Sequence, residues 1–358
     1  MSIVVQKYGG TSVADAVRIG NVARRIVATY EQGHSVCAVV SARGDTTDEL
    51  LALAHEITPS PPEREMDMLL SSGERISCAL LAMAIDRLGR EAVSFTGSQA
   101  GIVTDAVHTK ARIVDINPSR LEEAMANGKI VLVAGFQGVS TERNVTTLGR
   151  GGSDTTAVAL AHALHADVCE IYTDVEGVYT ANPSLVAKAR KIKRISYDEM
   201  LEMAAAGAQV LAVRAVEYAR KYDIPIHVRS SFSDHEGTWV REEDPTMESP
   251  IIRSVTYTTD EARITVRRVP DQPGVAAEVF GALADAHVNV DMIIQNSSES
   301  GHTDISCTIP REDSGVADLA LRAVVEKLGA KGYVTDNNIA KISVIGVGMR
   351  TNPGVAAM

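Results

Sequence analysis

The sequence predicts an α/β protein: an open, mostly parallel sheet sandwiched by helices, then a ferredoxin-like unit and the start of a second, incomplete one. Three observations predict it. Up to about residue 240, short β-branched runs alternate with Gly- or Ser-rich loops and with apolar residues at helical spacing, the rhythm of a helix-covered parallel sheet. From Ser233 to Pro250 that rhythm gives way to acids, glycine and proline. Beyond it the order becomes β-α-β-β-α, which suits a ferredoxin-like unit of about 80 residues. The expected divisions are 1–240, a linker with an accessory strand at 241–262, a small unit at 263–340, and the start of another at 341–358.

The elements follow in order. Ile3 to Lys7 is a β-branched run ending in Gly9-Gly10-Thr11-Ser12. Ala14 to Gln32 carries Val17, Ile19, Val22, Ile26 and Val27 at helical spacing and stops at Gly33. Ser35 to Val40 reads as a strand opening into the polar turn Ser41 to Asp45, and Thr58 to Arg64 as a surface loop. Strands are expected at Ala92–Phe95, Ile130–Phe136, Val168–Tyr172 and His227–Ser230, and helices at Glu74–Leu88 and Asp154–Leu164. In the smaller unit, strands are expected at Ala262–Val269, Val288–Gln295 and Thr303–Ile309, with helices at Val275–Ala286 and Ala317–Leu328. Pro273-Gly-Val-Ala-Ala277 recurs as Pro353-Gly-Val-Ala-Ala357, each after a strand (Ile264–Val269 and Ile342–Val347), so the second unit reads as cut short.

Composition excludes several classes. A formal net charge of −11 over 358 residues speaks against nucleic acid or an anionic membrane as partner, since both require a basic face. Aromatic residues are 4%, so the cores must be aliphatic. Cys37, Cys78, Cys169 and Cys307 are scattered without metal-ligand or CxxC spacing, as expected of plain buried thiols in a reducing compartment. The amino terminus lacks a basic-then-apolar signal pattern and no apolar run reaches the ~18 residues of a span. A cytoplasmic location is expected.

Neither GxxxxGK[ST] nor a strand-borne GxGxxG is present, but Gly-rich loops follow several strands, where open parallel sheets bind ligands. Lys7-Tyr-Gly-Gly-Thr-Ser12 offers backbone amides and a lysine charge to a phosphate, or is a tight turn with a solvated lysine. In Leu148-Gly-Arg-Gly-Gly-Ser-Asp154, Ser153 or Asp154 could cap the next helix, but Arg150 among three glycines suits bidentate capture of a carboxylate. Thr173 to Pro183 reads as a long turn or a binding loop. Glu74, heading a helix, is also explained by the helix dipole alone.

Together KYGGTS (7–12), SARGDTTDEL (41–50), SGERIS (72–77), GFQG (135–138), TLGRGGSD (147–154) and TDVEGVYTANP (173–183) resemble the aspartate kinases of the amino-acid kinase family, and the tail resembles their ACT domains. The resemblance implies transfer of the ATP γ-phosphoryl group to the β-carboxylate of L-aspartate with Mg²⁺, the first step toward lysine, threonine and methionine. It implies that Lys7 neutralises the transferring group and that Asp154 orients the lysine or the metal. Gly9, Gly10 and Ser12 would form the phosphate loop. Arg150 would take the substrate α-carboxylate, Glu74 and Ser153 its ammonium, with Ser41 and Thr47 beside the side-chain carboxylate and the phosphates. Thr173, Asp174, Tyr179 and Pro183 would line the nucleotide. Asp271, Gly274, Asn289, Asp291 and Gln295 match positions that bind a lysine or threonine effector at a homo-oligomer interface; no protein cage for a metal is implied.

Two positions depart from the family pattern. Asn182-Pro183-Ser184 stands for the usual Asp-Pro-Arg, and Gly207-Ala208-Gln209 for a lysine-terminated triplet, removing two cations from the expected ATP side. Two other readings accompany the first: a kinase for a related acid, or an amino-acid sensor that retains little or no catalysis.

Overall fold

The computed structural model describes residues 2–242, 252–295 and 301–346. The chain divides into two compact units, Met1–Ser254 together with the chain from Val344 onward, and Val255–Ser343.

The first unit opens with β1 (Ile3–Tyr8), α1 (Ala16–Glu31) and β2 (Ser35–Val40), then three consecutive helices, α2 (Thr46–Ile57), α3 (Glu63–Leu70) and α4 (Ser72–Asp86). There follow β3 (Ala92–Phe95), β4 (Ile102–Thr104), β5 (Ile113–Ile116), α5 (Ser119–Ala126), β6 (Ile130–Ala134), β7 (Gln137–Ser140) and β8 (Val145–Thr147). The last part holds α6 (Gly152–Ala163), β9 (Val168–Thr173), β10 (Arg194–Ile195), α7 (Tyr197–Ala205), α8 (Val213–Tyr222), β11 (Ile226–Ser230) and β12 (Thr238–Val240).

Eight strands form one sheet in the order β10-β12-β11-β9-β1-β2-β6-β3. It is parallel from β11 to β3, and only the β11–β12 pair runs antiparallel. β1 is central, so its two neighbours fix Lys7 opposite Val39 and Ile171. Side chains alternate across the sheet. Val36, Ala38 and Val40 pack with Ile19, Val22 and Ile26 of α1 and with Leu81 and Ile85 of α4. Val5, Cys37, Val39, Val131 and Val133 pack on the opposite face with Ala157, Leu160 and Ala161 of α6. Each fully buried Leu or Ile contributes about 1.5–3 kcal/mol. The four cysteines are free and buried.

Several expectations need correction. Val17 is exposed rather than on the packed face of α1, whose register is set by the Asp15 side chain accepting from the Arg18 amide. The strand expected over Ile130–Phe136 stops at Ala134, because Phe136 has φ 68° and cannot continue the ladder. The stretch from Ser233 onward, read as irregular, contains β12, which pairs with β11 while Trp239 stacks on His227 at 3.9 Å. Helices α3 and α4 form a 24-residue helical stretch, Glu63–Asp86, long and apolar enough to cross a membrane. Its Glu74, Ser77, Cys78, Leu81 and Ile85 are nevertheless buried, the place of a core helix.

After β13 (Ser254–Thr258), the second unit contains β14 (Glu261–Pro270), α9 (Val275–Asp285), β15 (Ile293–Gln295), β16 (His302–Pro310), α10 (Ser314–Lys327) and β17 (Gly332–Asp336), whose four strands form an antiparallel sheet of order β15-β16-β14-β17. Its core joins Ile264, Val266 and Ile305 to Val279, Leu283 and Leu321 of the two helices. The strand expected over Val288–Gln295 is confined to Ile293–Gln295, with Val288 buried beneath a turn. Pro353–Ala357 and the end of Ile342–Val347 lie outside the described residues.

Candidate active site

A cavity of about 330 Å³ opens at the carboxyl ends of β1 and β2. It is lined by Lys7, Gly10, Ser41, Thr47, Glu74, Arg150, Ser153 and Asp154, and by Ala42, Gly44, Phe136, Gly149, Gly151 and Gly152. Lys7 and the Ser41–Gly44 turn come from the adjacent parallel strands β1 and β2, Glu74 from the first turn of α4, and Gly149–Asp154 from the loop between β8 and α6.

Lys7, next to last in β1, has its Nζ 2.6 Å from an Asp154 carboxylate oxygen, and both side chains are nearly buried (13% and 11% exposed). That oxygen makes the ion-pair contact without a well-aligned hydrogen bond, while Oδ2 accepts from the Ala212 amide at 3.3 Å. Neither Ser153 nor Asp154 caps α6. The cap is Gly151, at φ 73°, where an added Cβ would fall 2.3 Å from Ala212 Cβ. Asp154 therefore lies within the first helical turn, free to face Lys7, and the first residues of α6, whose amides lack partners within the helix, line the cavity.

Glu74 is almost fully buried in the first turn of α4. One carboxylate oxygen accepts from the Ala42 amide at 3.1 Å and the other has no partner. Burial pushes this carboxyl up to about 7, against the Ala42 amide and the Arg75 charge, which pull it down. A dipole-stabilised surface glutamate would be solvated. Glu74 instead lines the cavity as a buried carboxylate with one oxygen left without a partner among the described residues, the complement of a cation with hydrogen-bond donors.

Arg150 is exposed on its glycine loop and makes no ion pair or hydrogen bond among the described residues. Close packing shapes the opposite wall. Gly10 donates no side chain because an added Cβ would sit 2.7 Å from the Ala42 carbonyl oxygen, and its own carbonyl accepts from the Gly44 amide at 3.0 Å.

The other expected residues lie outside this cavity. Gly9 is adjacent, its amide donating to Tyr172 O at 3.3 Å and its Cβ position 3.7 Å from Lys7 Nζ. Lys7 thus stands between the cavity and the end of β9, which leads into Thr173 and Asp174. Ser12 is buried against Ser231, 2.6 Å away. Thr173 donates to Asp174, Tyr179 bridges to Lys191, and Pro183 is exposed. Ser184 folds its amide and hydroxyl onto Asn182, and Gln209 is exposed. No group of three or more possible metal ligands occurs among the described residues.

In the second unit, Asp271, Gly274 and Gln295 line a separate cavity of about 340 Å³ with Pro270, Thr303 and Ile305. Asp291 is instead paired with Lys341, which also pairs with Glu261, and Asn289 is exposed away from that cavity.

Comparison with known proteins places these features. Residues 2–230 match the amino acid kinase family and residues 264–328 match an ACT domain. The aspartokinase of Mycolicibacterium smegmatis is 57% identical over 362 residues, covering all of this chain and 86% of that protein. The structure of E. coli aspartokinase III with aspartate and ADP superimposes at a TM-score of 0.82 with 27% identity, covering 99% of this chain and 90% of the other. The same enzyme with lysine and aspartate gives 0.72 and 28%, covering 96% and 87%.

Proposed function

The chain belongs to the amino acid kinase family and is an aspartate kinase, and we propose that Lys7, Glu74, Arg150 and Asp154 carry its reaction. The observation that carries the assignment is the Lys7–Asp154 pair at 2.6 Å in a cavity that also holds a half-satisfied Glu74 and an unpaired Arg150. An α-amino acid has one ammonium and one α-carboxylate, and these two residues are their complements. Arg150 takes the α-carboxylate, Glu74 and Ser153 take the ammonium, and Ser41 and Thr47 flank the β-carboxylate.

That carboxylate is ionised at neutral pH and needs no general base. Its oxygen forms the new bond to the γ-phosphorus as the bond to the β-phosphate oxygen breaks, and ADP leaves with the electron pair. Lys7 Nζ and the amides heading α6 lie where negative charge spreads over the transferring group. Asp154 holds the ammonium of Lys7 in place. Gly9, Gly10 and Ser12 form the phosphate loop, and Thr173, Asp174, Tyr179 and Pro183 lie along the nucleotide. Mg²⁺ would fit a donor set of phosphate oxygens and water beside the Asp154 carboxylate, where it would supply charge neutralisation. Ser184 and Gln209 leave the nucleotide side short of cations, so affinity for ATP is reduced. The second unit takes a lysine or threonine effector through Asp271, Gly274 and Gln295, and pairs with a second copy.

A coupled ADP-release assay with L-aspartate, L-glutamate and no acceptor tests this reading. ADP release that depends on L-aspartate is expected; release that is faster with L-glutamate, or independent of acceptor, would overturn it. Adding a cation back tests the nucleotide side: Ser184→Arg should lower the KM for ATP about ten- to hundredfold, the effect of one charge-assisted contact. An unchanged value in both Ser184→Arg and Gln209→Lys would reject reduced affinity.

A further inference from the structure

Arg150 has no partner among the described residues, so the position of its guanidinium is set by the backbone of its loop. Two buried or half-buried side chains outside the cavity hold that backbone. Asp67, fully buried on α3, accepts from the Thr109 amide at 3.1 and 3.2 Å and from the Thr147 hydroxyl, and lies 2.6 Å from His108 Nδ1. Thr147 ends β8, three residues before Arg150. On the other side Arg214 of α8 donates to Leu148 O at 2.6 Å and to Ala111 O at 3.0 Å.

The two clamped segments are also bound to each other. The Ala111 amide donates to Thr147 O at 2.9 Å, and an added Cβ on Gly149 would lie 3.1 Å from Thr109 O. Thr109 itself sits at φ 63°, a conformation unfavourable for a β-branched residue, so its segment depends on the Asp67 contacts to stay in place. A buried carboxylate that meets an amide, a hydroxyl and an imidazole is fully satisfied inside the protein and needs no ligand.

We propose that Asp67 and Arg214 are positioning residues that fix the 147–151 loop and thereby aim Arg150 at the substrate α-carboxylate. The proposal rests on the reading of Arg150 given above. It requires that loosening the clamp weakens aspartate and spares ATP, whereas a purely structural role would disturb both or neither.

The test compares Asp67→Asn, Thr147→Val, Thr147→Ser and Arg214→Met in the full chain, with Arg150→Ala as the reference and thermal unfolding as the check on folding. Thr147→Val and Arg214→Met should raise the KM for L-aspartate about tenfold or more while the KM for ATP stays within about twofold. Thr147→Ser, which keeps the hydroxyl, should retain the wild-type value. Should Asp67→Asn fail to fold, the Thr147 pair decides. An unchanged KM for L-aspartate in the folded clamp variants, alongside a raised one in Arg150→Ala, would overturn the clamp alone. A wild-type KM for L-aspartate in Arg150→Ala would overturn the role of Arg150 and the clamp with it, and an equal rise in both KM values would reduce the clamp to general support of the fold.

Discussion

Glu74 couples chemistry to stability. Its carboxyl stands at about 7 in the folded protein because it is buried, above its ordinary value of 4.5. A carboxyl raised on folding leaves the protein most stable below the unfolded value, and stability is lost as pH climbs from about 4.5 to about 7. At 1.36 kcal/mol per unit, that loss amounts to about 3 kcal/mol. Without substrate, unfolding measured between pH 5 and 8 should show wild type losing ground to Glu74→Gln over that window, and parallel curves would refute the buried charge. The ammonium of aspartate returns the lost stability, since it pairs with the ionised form. In wild type, kcat/KM for L-aspartate should accordingly rise with pH through about 7, and Glu74→Gln should be slower and lack that rise. Lys7→Ala should lower kcat by at least about 10²–10³-fold, as removal of a charge stabiliser does, and near-normal turnover would sink its assignment. Lys7 and Arg150 were legible as candidates because each stands in a Gly-rich loop that precedes a helix, whereas Glu74 heads a helix, where the dipole alone explains an acid. Asp67 and Arg214 were not legible, since one of three acids in a short charged helix and an arginine on an amphipathic one carry no signal until the fold brings them to one loop.

At the scale of elements, α6 depends on one glycine. Replacing Gly151 by alanine imposes a left-handed conformation costing about 1–2 kcal/mol on a residue with a Cβ, and places that Cβ 2.3 Å from Ala212 Cβ. Overpacking adds about 1–3 kcal/mol. Gly151→Ala should therefore lower the melting temperature and the activity together, and adding Ala212→Gly should restore only the steric part. Full restoration would mean the backbone conformation costs nothing. The helix itself was readable from its apolar spacing, though its cap was not: Ser153 and Asp154 both have capping chemistry, and only the path of Gly149–Gly151 turns them inward. Strands β4, β5, β7 and β8 were missed for a different reason. They are three or four residues long, too short for alternation to show, and exist because they pair with one another in a four-stranded sheet. β12 was hidden similarly, by a polar stretch whose Trp239 finds its partner on β11.

For the whole molecule, the change of rhythm near residue 240 announced a second kind of unit, and the contact boundary falls at Ser254. What that unit does with its edge follows from its sheet order. Among the described residues β15 is bonded to β16 on one side only, and Met292, Ile293 and Ile294 are 45%, 54% and 49% exposed there. An apolar edge strand with unpaired amides and carbonyls is a template for pairing with another chain, and stable proteins either cover such edges or charge them. This edge carries no lysine or proline across Ile293–Gln295, so a second copy of the same unit is its fitting partner. A charge should defeat that pairing, because an edge lysine must desolvate on association. Ile294→Lys is thus expected to reduce the mass measured by sedimentation equilibrium to that of a single chain. Its helical and strand content should stay unchanged, since the side chain already faces solvent. A wild-type protein that sediments as one chain, or a variant whose mass does not change, would show that β15 is not the assembly edge.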